Sequence, residues 1–152
     1  MPRTTRLALK DESATLAVAA RLARRLRDPM TVALSGPLGA GKTTFVRGVL
    51  GALGHRGGVP SPTFAMVNEY RRLRPRVFHM DLYRAGPEDL PGLALEEYFA
   101  DAGAVCLVEW AENAGGLLPP DRVEAVLAHA PSGRTLRLRS TGPRAADVLR
   151  GL

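Results

Sequence analysis

The 152-residue sequence has one cysteine, two lysines and only 5% aromatic residues, and it lacks any long apolar run. The single cysteine, Cys106, lies inside the apolar segment Val105–Val108, so neither a disulfide framework nor a cysteine metal site can form within the chain. No segment approaches the roughly 20 apolar residues that span a bilayer, and the charged N-terminus lacks the apolar core of a secretion signal. These absences predict a reduced, cytoplasmic setting without membrane insertion, and a mainly aliphatic core.

Positive charge is unevenly distributed and comes almost entirely from arginine. The chain has 21 Lys and Arg against 15 Asp and Glu, a net charge of +6, and residues 1–76 hold 14 of the basic and 4 of the acidic residues. Residues 77–112 hold eight carboxylates and one arginine. The asymmetry favours an anionic partner, with a solvated arginine-rich surface as the alternative, and the acidic stretch suits a solvated helix face or a docking surface for a basic partner.

Hydrophobic periodicity predicts strands that alternate with helices in a single domain over residues 1–152, since no repeat or long Gly/Ser linker divides the chain. The pattern favours a three-layer α/β fold, a sheet with helices on both faces and some antiparallel hairpin strands. The predicted strands are Thr4–Leu9, Thr31–Ser35, Thr63–Arg71, Arg76–Leu82, Val105–Trp110, Val123–Ala130 and Thr135–Ser140. The predicted helices are Ala14–Arg27 with Ser13 as N-cap, Lys42–Leu53, Pro87–Tyr98 with a break at Pro91-Gly92, and Ala145–Leu149.

The strongest motif is Gly36-Pro37-Leu38-Gly39-Ala40-Gly41-Lys42-Thr43, which matches the phosphate-loop pattern G-x-x-x-x-G-K-S/T between an apolar strand and a helix. Its glycines let successive backbone N–H groups point at phosphate oxygens, and the helix presents its positive end to the same anion. Lys42 would reach the β- and γ-phosphates and the Thr43 hydroxyl would bind Mg²⁺. A glycine-rich turn without a ligand is the alternative. Because no N-K-x-D element surrounds Asn68 or Asn113, ATP is favoured over GTP as the nucleotide.

Two carboxylates follow apolar strands and are candidates for binding Mg²⁺ and for orienting the attacking water. Glu109 follows four apolar residues, and Asp81 follows Val77-Phe78-His79-Met80, where His79 interrupts the run. We favour Glu109 as the metal-side ligand and Asp81 as an indirect partner that contacts the ligands of Mg²⁺, or as the base that orients the attacking water. A solvated strand end and a turn or N-cap acid are the respective alternatives.

Three other residues are candidates for the site. Thr63, in Ser61-Pro62-Thr63, could sense the γ-phosphate or metal, and a rigid proline turn without a ligand is the alternative. Trp110, the sole tryptophan, is either a core residue or a cover over the site. Arg84 is either a cationic stabiliser of the phosphates or a partner of the neighbouring acids. His79 is expected to be packed or hydrogen-bonded rather than a metal ligand.

Together these segments resemble the TsaE family, also called YjeE, of small bacterial ATPases. The matching elements are GPLGAGKTTFVRG in the loop, SPTF at Ser61–Phe64, HMDLYR at His79–Arg84 and VEW at Val108–Trp110. The resemblance implies a P-loop NTPase-like fold and ATP hydrolysis that supports a complex of TsaD and TsaB. In that complex TsaD transfers threonylcarbamoyl to the tRNA adenosine beside the anticodon, so this chain would not perform the transfer and would meet tRNA indirectly, through the complex. No DNA or membrane partner is implied.

The resemblance also implies residue roles. The phosphates would lie on Gly39, Ala40, Gly41, Lys42, Thr43 and Thr44, Mg²⁺ on Thr43 and Glu109, and the adenine near Ser13 and Thr15. Asp81 would have a catalytic or metal-linked role. The sequence departs from the family at Pro37, where an acidic residue is common, and in the strongly basic turn Arg71–Arg76.

Two other functions remain open from the residues. A small-molecule kinase could use the same loop, although 152 residues leave little room for a substrate pocket and a lid. Alternatively, the chain could be a nucleotide-switched RNA- or protein-binding module in which the Arg71–Arg76 cluster contacts phosphate.

Overall fold

A seven-stranded mixed sheet organises the computed structural model of the protein, which describes residues 2–60 and 66–152. The strands are β1 Thr4–Leu9, β2 Met30–Ser35, β3 Val67–Tyr70, β4 Arg76–Asp81, β5 Ala104–Glu109, β6 Val123–His129 and β7 Arg134–Ser140. The helices are α1 Glu12–Ala23, α2 Lys42–Ala52, α3 Leu90–Leu93, α4 Leu95–Phe99, a kinked 3₁₀ segment Ala111–Leu117 and α5 Pro143–Leu149.

The strands lie in the order β1-β7-β6-β2-β5-β4-β3. The central four are parallel: β2 pairs with β5 and β6, and β5 pairs with β4. Antiparallel strands flank them, since β7 pairs with β6 and β1, and β3 pairs with β4. The predicted α/β fold with antiparallel hairpin strands is therefore confirmed.

Helices cover both faces of the sheet because side chains alternate across each strand. Val32 and Leu34 pack into a core with α1, α2 and α5, whereas Ala33 packs on the opposite face with the 3₁₀ segment and the residue Leu95 of α4. The first core is aliphatic apart from Phe45, as the composition predicts. This arrangement confirms the three predicted layers.

Four local features differ from the sequence prediction, among them the end of α1, which lies at Ala23 and not at Arg27. Helix α1 begins at Glu12 with Asp11 as its N-cap, whose carboxylate accepts the backbone N–H of Ala14, and Ser13 donates its hydroxyl to the same carboxylate. The helix predicted over Pro87–Tyr98 is two short helices that break at Ala94, where φ is +51°, and not at Pro91-Gly92. The 3₁₀ segment after β5 was not predicted. Within the described residues no helix has the length and apolar character needed to cross a bilayer.

Candidate functional site

Three adjacent parallel strands end together at one edge of the sheet. Leu34 of β2 lies beside Glu109 of β5, and Glu109 lies beside Asp81 of β4. Ligands of open α/β sheets bind outside the carboxyl ends of such strands. The register therefore brings the phosphate loop, which follows β2, to the level of both predicted carboxylates.

The phosphate loop runs from Gly36 to Gly41 and turns directly into α2. Gly36 has φ +139°, and a Cβ there would lie 2.1 Å from the carbonyl oxygen of Leu127, so only glycine fits between the loop and β6. Gly41 is the N-cap of α2 and offers no side-chain oxygen to the first turn. The first N–H groups of this helix are thus available to an anion, as the motif predicts.

The Lys42 ammonium group is hydrogen-bonded to the phosphate loop. It donates to the carbonyl oxygens of Gly36 at 2.5 Å and Pro37 at 3.0 Å, and it lies 4.0 Å from the centre of the Trp110 ring. Burial lowers the pKa of Lys42, and the nearby carboxylates, Glu109 foremost, act in the opposite direction. The loop carbonyls and the indole ring therefore hold this cation at the edge of the sheet where the phosphates are expected.

A hydrogen-bonded chain links the loop to the two central strands. The Thr43 hydroxyl donates to Oε1 of Glu109 at 2.9 Å, and Nε2 of His79 lies 2.6 Å from Oε2 of the same carboxylate. Glu109 is only 2% exposed and His79 is fully buried. A carboxylate oxygen accepts hydrogen bonds, and an imidazole nitrogen at this distance can supply one. Each oxygen of Glu109 thus has one donor, which fixes the carboxylate facing Thr43.

Asp81 and Arg84 line a cleft of about 430 Å³ over the loop, together with Lys42, Thr43, Glu109 and Trp110. Asp81 accepts the backbone N–H of Tyr83 at 3.0 Å, and this bond orients its carboxylate at the end of β4. Arg84 is exposed and makes no ion pair within the described residues. The cleft therefore contains both predicted carboxylates and two cationic side chains.

Trp110 lines this cleft. Its backbone adopts φ +55°, which is unusual for a bulky residue and costs of order 1–3 kcal/mol. The turn places the indole over the Lys42 ammonium and 4.8 Å from the Tyr83 ring. The half-buried side chain also packs against the core on the face of the sheet that carries Ala33, so both interpretations open from the sequence, core residue and cover, stay predictions.

Comparison with known proteins gives one consistent family. The family model described as "Threonylcarbamoyl adenosine biosynthesis protein TsaE" matches residues 9–136. The "tRNA threonylcarbamoyladenosine biosynthesis protein TsaE" of Haemophilus influenzae is 41% identical over 108 residues, 70% of this chain and 68% of that protein. The protein of the same description from Bacillus subtilis is 41% identical over 116 residues, 76% of this chain and 72% of that protein. The chain belongs to the TsaE family. A crystal structure of YdiB from Bacillus subtilis agrees, with a TM-score of 0.84 and 32% identity over 99% of this chain and 94% of that one.

The oxygen donors of this TsaE family member suit a magnesium ion. Thr43 supplies a hydroxyl and Glu109 a carboxylate at hydrogen-bond distance from each other, and Asp81 lines the same cleft. Mg²⁺ is usually bound through one or two carboxylates together with substrate phosphates and water. Among residues 2–60 and 66–152, no group of three or more His, Cys, Asp or Glu side chains is arranged to hold a metal.

A second cleft, of about 470 Å³, lies on the other side of the loop. Thr15 of α1 lines it with Thr44, Gly39, Ala40 and Gly41. The position of the adenine that the resemblance implies stays a prediction. Ser13 is exposed, does not line either cleft, and is bonded to Asp11. Thr63 lies outside the described residues, so its predicted role remains a prediction.

Two contributors to the site were missed by sequence analysis. Arg134, at the start of β7, donates through Nε and Nη2 to the carbonyl oxygen of Gly39 and lines the second cleft. His129, at the end of β6, lies 3.1 Å from the carbonyl oxygen of Leu38. Both flank the β6–β7 turn, which tertiary folding brings to the loop, so no local motif marks them.

Proposed function

We propose that the protein is an ATPase of tRNA threonylcarbamoyladenosine biosynthesis that binds and hydrolyses Mg-ATP. The observation that carries this proposal is the 2.9 Å hydrogen bond between Thr43 and Glu109. This bond joins the hydroxyl that follows the phosphate-loop lysine to a carboxylate at the end of the neighbouring parallel strand. A hydroxyl and a carboxylate in these two positions hold Mg²⁺ in P-loop ATPases. The TsaE names of the relatives support the tRNA-modification role.

The loop and α2 would bind the triphosphate. The backbone N–H groups at the start of α2, after the N-cap Gly41, would contact the phosphates, because the helix dipole favours negative charge there. Lys42, whose ammonium group already lies at this edge, would contact the β- and γ-phosphates as a point charge. Thr15 and Arg134 in the second cleft would lie on the nucleoside side.

Glu109 and Asp81 would have different roles in the reaction. Thr43 and Glu109 would hold Mg²⁺, which when bound neutralises charge on the phosphate oxygens. Asp81 lines the open cleft and has its carboxylate oriented by the Tyr83 N–H, so it would orient the attacking water and accept its proton. Arg84, exposed in the same cleft, would stabilise the charge that develops on the phosphates.

The partner would be a complex of the TsaD and TsaB type, and tRNA would be reached through that complex. The threonylcarbamoyl transfer itself would belong to the partner. The exposed acids of α4, Glu96 and Glu97, would suit contact with a basic partner surface.

The test is phosphate release by the purified chain with Mg-ATP. Asp81→Asn and Glu109→Gln should each lower the rate by about a hundredfold or more. Glu97→Gln, an exposed acid outside the cleft, is the matched control and should leave the rate unchanged. Adding the TsaD–TsaB complex and tRNA should raise phosphate release, and an unchanged rate would contradict the proposed partnership. Transfer of the phosphoryl group to a metabolite, with none released to water, would instead indicate a kinase.

A further inference from the structure

A second concentration of positive charge lies at the opposite end of the sheet. Arg24, Arg25, Arg27 and Arg144 line a cavity of about 440 Å³, here named the arginine cleft, between the end of α1, the start of β2 and α5. Met30, the first residue of β2, also lines it. Because the phosphate loop follows the last residue of β2, the arginine cleft lies about one strand length, roughly 17 Å, from the loop.

Backbone carbonyls hold three of these arginines in place. Arg25 donates Nε to the carbonyl oxygen of Val148 at 2.7 Å, Arg27 donates Nη1 to that of Leu26 at 3.0 Å, and Arg144 donates Nη2 to that of Pro29 at 3.0 Å. Each guanidinium has five N–H groups. These bonds therefore orient the cations while leaving other N–H groups unpaired within the described residues.

Little negative charge offsets these arginines. Among the described residues, Asp147 is the only acid lining the arginine cleft, and its carboxylate already pairs with Arg150 at 2.6 Å. The nearby Asp121 carboxylate accepts the backbone N–H of Arg144 at 2.9 Å. In the turn Arg71–Arg76, a candidate RNA contact from the sequence, Arg71 pairs with Glu69 and Arg76 with Asp101. Arg72 and Arg74 have no acidic partner within the described residues, so the turn is only partly neutralised.

The side chains that line the arginine cleft suit one kind of anion better than others. Guanidinium groups match phosphate oxygens with paired N–H donors, and several of them within one cavity suit neighbouring phosphates. No aromatic side chain lines the arginine cleft among the described residues, so bases would find no stacking surface there. Contact with a phosphodiester backbone is therefore favoured over recognition of bases.

We propose that the arginine cleft binds consecutive phosphate groups of the tRNA backbone, a direct contact in addition to the indirect one through the partner complex. The choice of tRNA rests on the proposed tRNA-modification role, but the contact does not depend on ATP hydrolysis. The nucleotide cleft and the arginine cleft lie at opposite ends of β2, so ATP and this segment of RNA bind without competing for the same surface.

The test measures binding of fluorescently labelled tRNA to the full chain, without nucleotide, by anisotropy at several salt concentrations. Arg24→Gln is the chosen variant, because Arg24 is exposed and its side chain makes no hydrogen bond within the described residues. It should weaken binding about tenfold in low salt and lower the slope of log affinity against log salt by about 1. Arg137→Gln is the matched control, since Arg137 is exposed on β7 away from the cleft, and it should change both quantities much less.

Equal effects of the two substitutions would overturn the proposal, because they would indicate general electrostatic attraction. Binding of inorganic tripolyphosphate without binding of tRNA would also overturn it and would point to a small phosphorylated ligand. Phosphate release by Arg24→Gln, measured in parallel, should equal that of the unmodified chain. Loss of ATPase activity in every sample with tRNA binding intact would contradict the proposed function and leave the arginine cleft supported.

Discussion

Replacing His79 with leucine should lower the free energy of unfolding by about 2 kcal/mol. The substitution removes the donor 2.6 Å from Oε2 of Glu109 and leaves a carboxylate that is 2% exposed with a buried, unpaired oxygen. Leaving such an oxygen unpaired costs about 3 kcal/mol. His79 itself has no partner for Nδ1 within the described residues, and removing that buried polar atom regains about 1 kcal/mol.

The measurement is urea unfolding followed by far-ultraviolet circular dichroism, without nucleotide or metal. A loss of 2 kcal/mol corresponds to a fall in Tm of about 4–8 °C for a chain of this size. A double-mutant cycle with Glu109→Gln isolates the pair and should give a coupling energy of about 2 kcal/mol. His79→Gln keeps an N–H donor and should recover part of the loss, whereas His55→Leu, at a half-buried histidine outside the site, should cost under about 1 kcal/mol. Additive effects of His79→Leu and Glu109→Gln would refute the idea that His79 acts through this carboxylate.

Two further predictions concern the core and the loop. Gly36→Ala should cost more than about 3 kcal/mol in thermal unfolding, because its Cβ would meet the Leu127 carbonyl oxygen at 2.1 Å, whereas Gly51→Ala, in open space on α2, should be neutral or stabilising. Burial raises the pKa of Cys106 to about 12, so a thiol reagent at pH 8 should label the folded chain far more slowly than the urea-unfolded chain. Since this folded pKa lies above the unfolded value, the associated stability is present below about pH 9 and is lost as the pH rises toward 12, and rapid labelling of the folded chain would contradict the burial.

Strand patterning and one motif were enough to predict the centre of the site. Glu109 and Asp81 each follow an apolar strand, and parallel strands of similar length end at the same edge, so their proximity to the phosphate loop follows from topology. The pairing of His79 with Glu109 was not predicted in this form, because it depends on the register between β4 and β5. Sequence showed only that a histidine interrupts an apolar run.

The errors occurred where two local signals compete. Asp11 and Ser13 both favour an N-cap, and the aspartate prevails because its carboxylate accepts both the Ala14 N–H and the Ser13 hydroxyl. Proline and glycine at 91 and 92 favour a helix break there, but a proline fits the first turn of a helix, and α3 instead ends at Ala94. Such choices depend on tertiary packing, which the local pattern does not contain.

The indole of Trp110 gives the protein an internal optical reporter. The chain has a single tryptophan, and its ring lies 4.0 Å from the ammonium group that is expected to contact the nucleotide. Movement of Lys42 away from the ring would change the electric field at the indole, and hence its emission, with no second tryptophan to dilute the signal. The proposed binding of nucleotide should therefore be visible in real time as a change in tryptophan emission, without an attached dye.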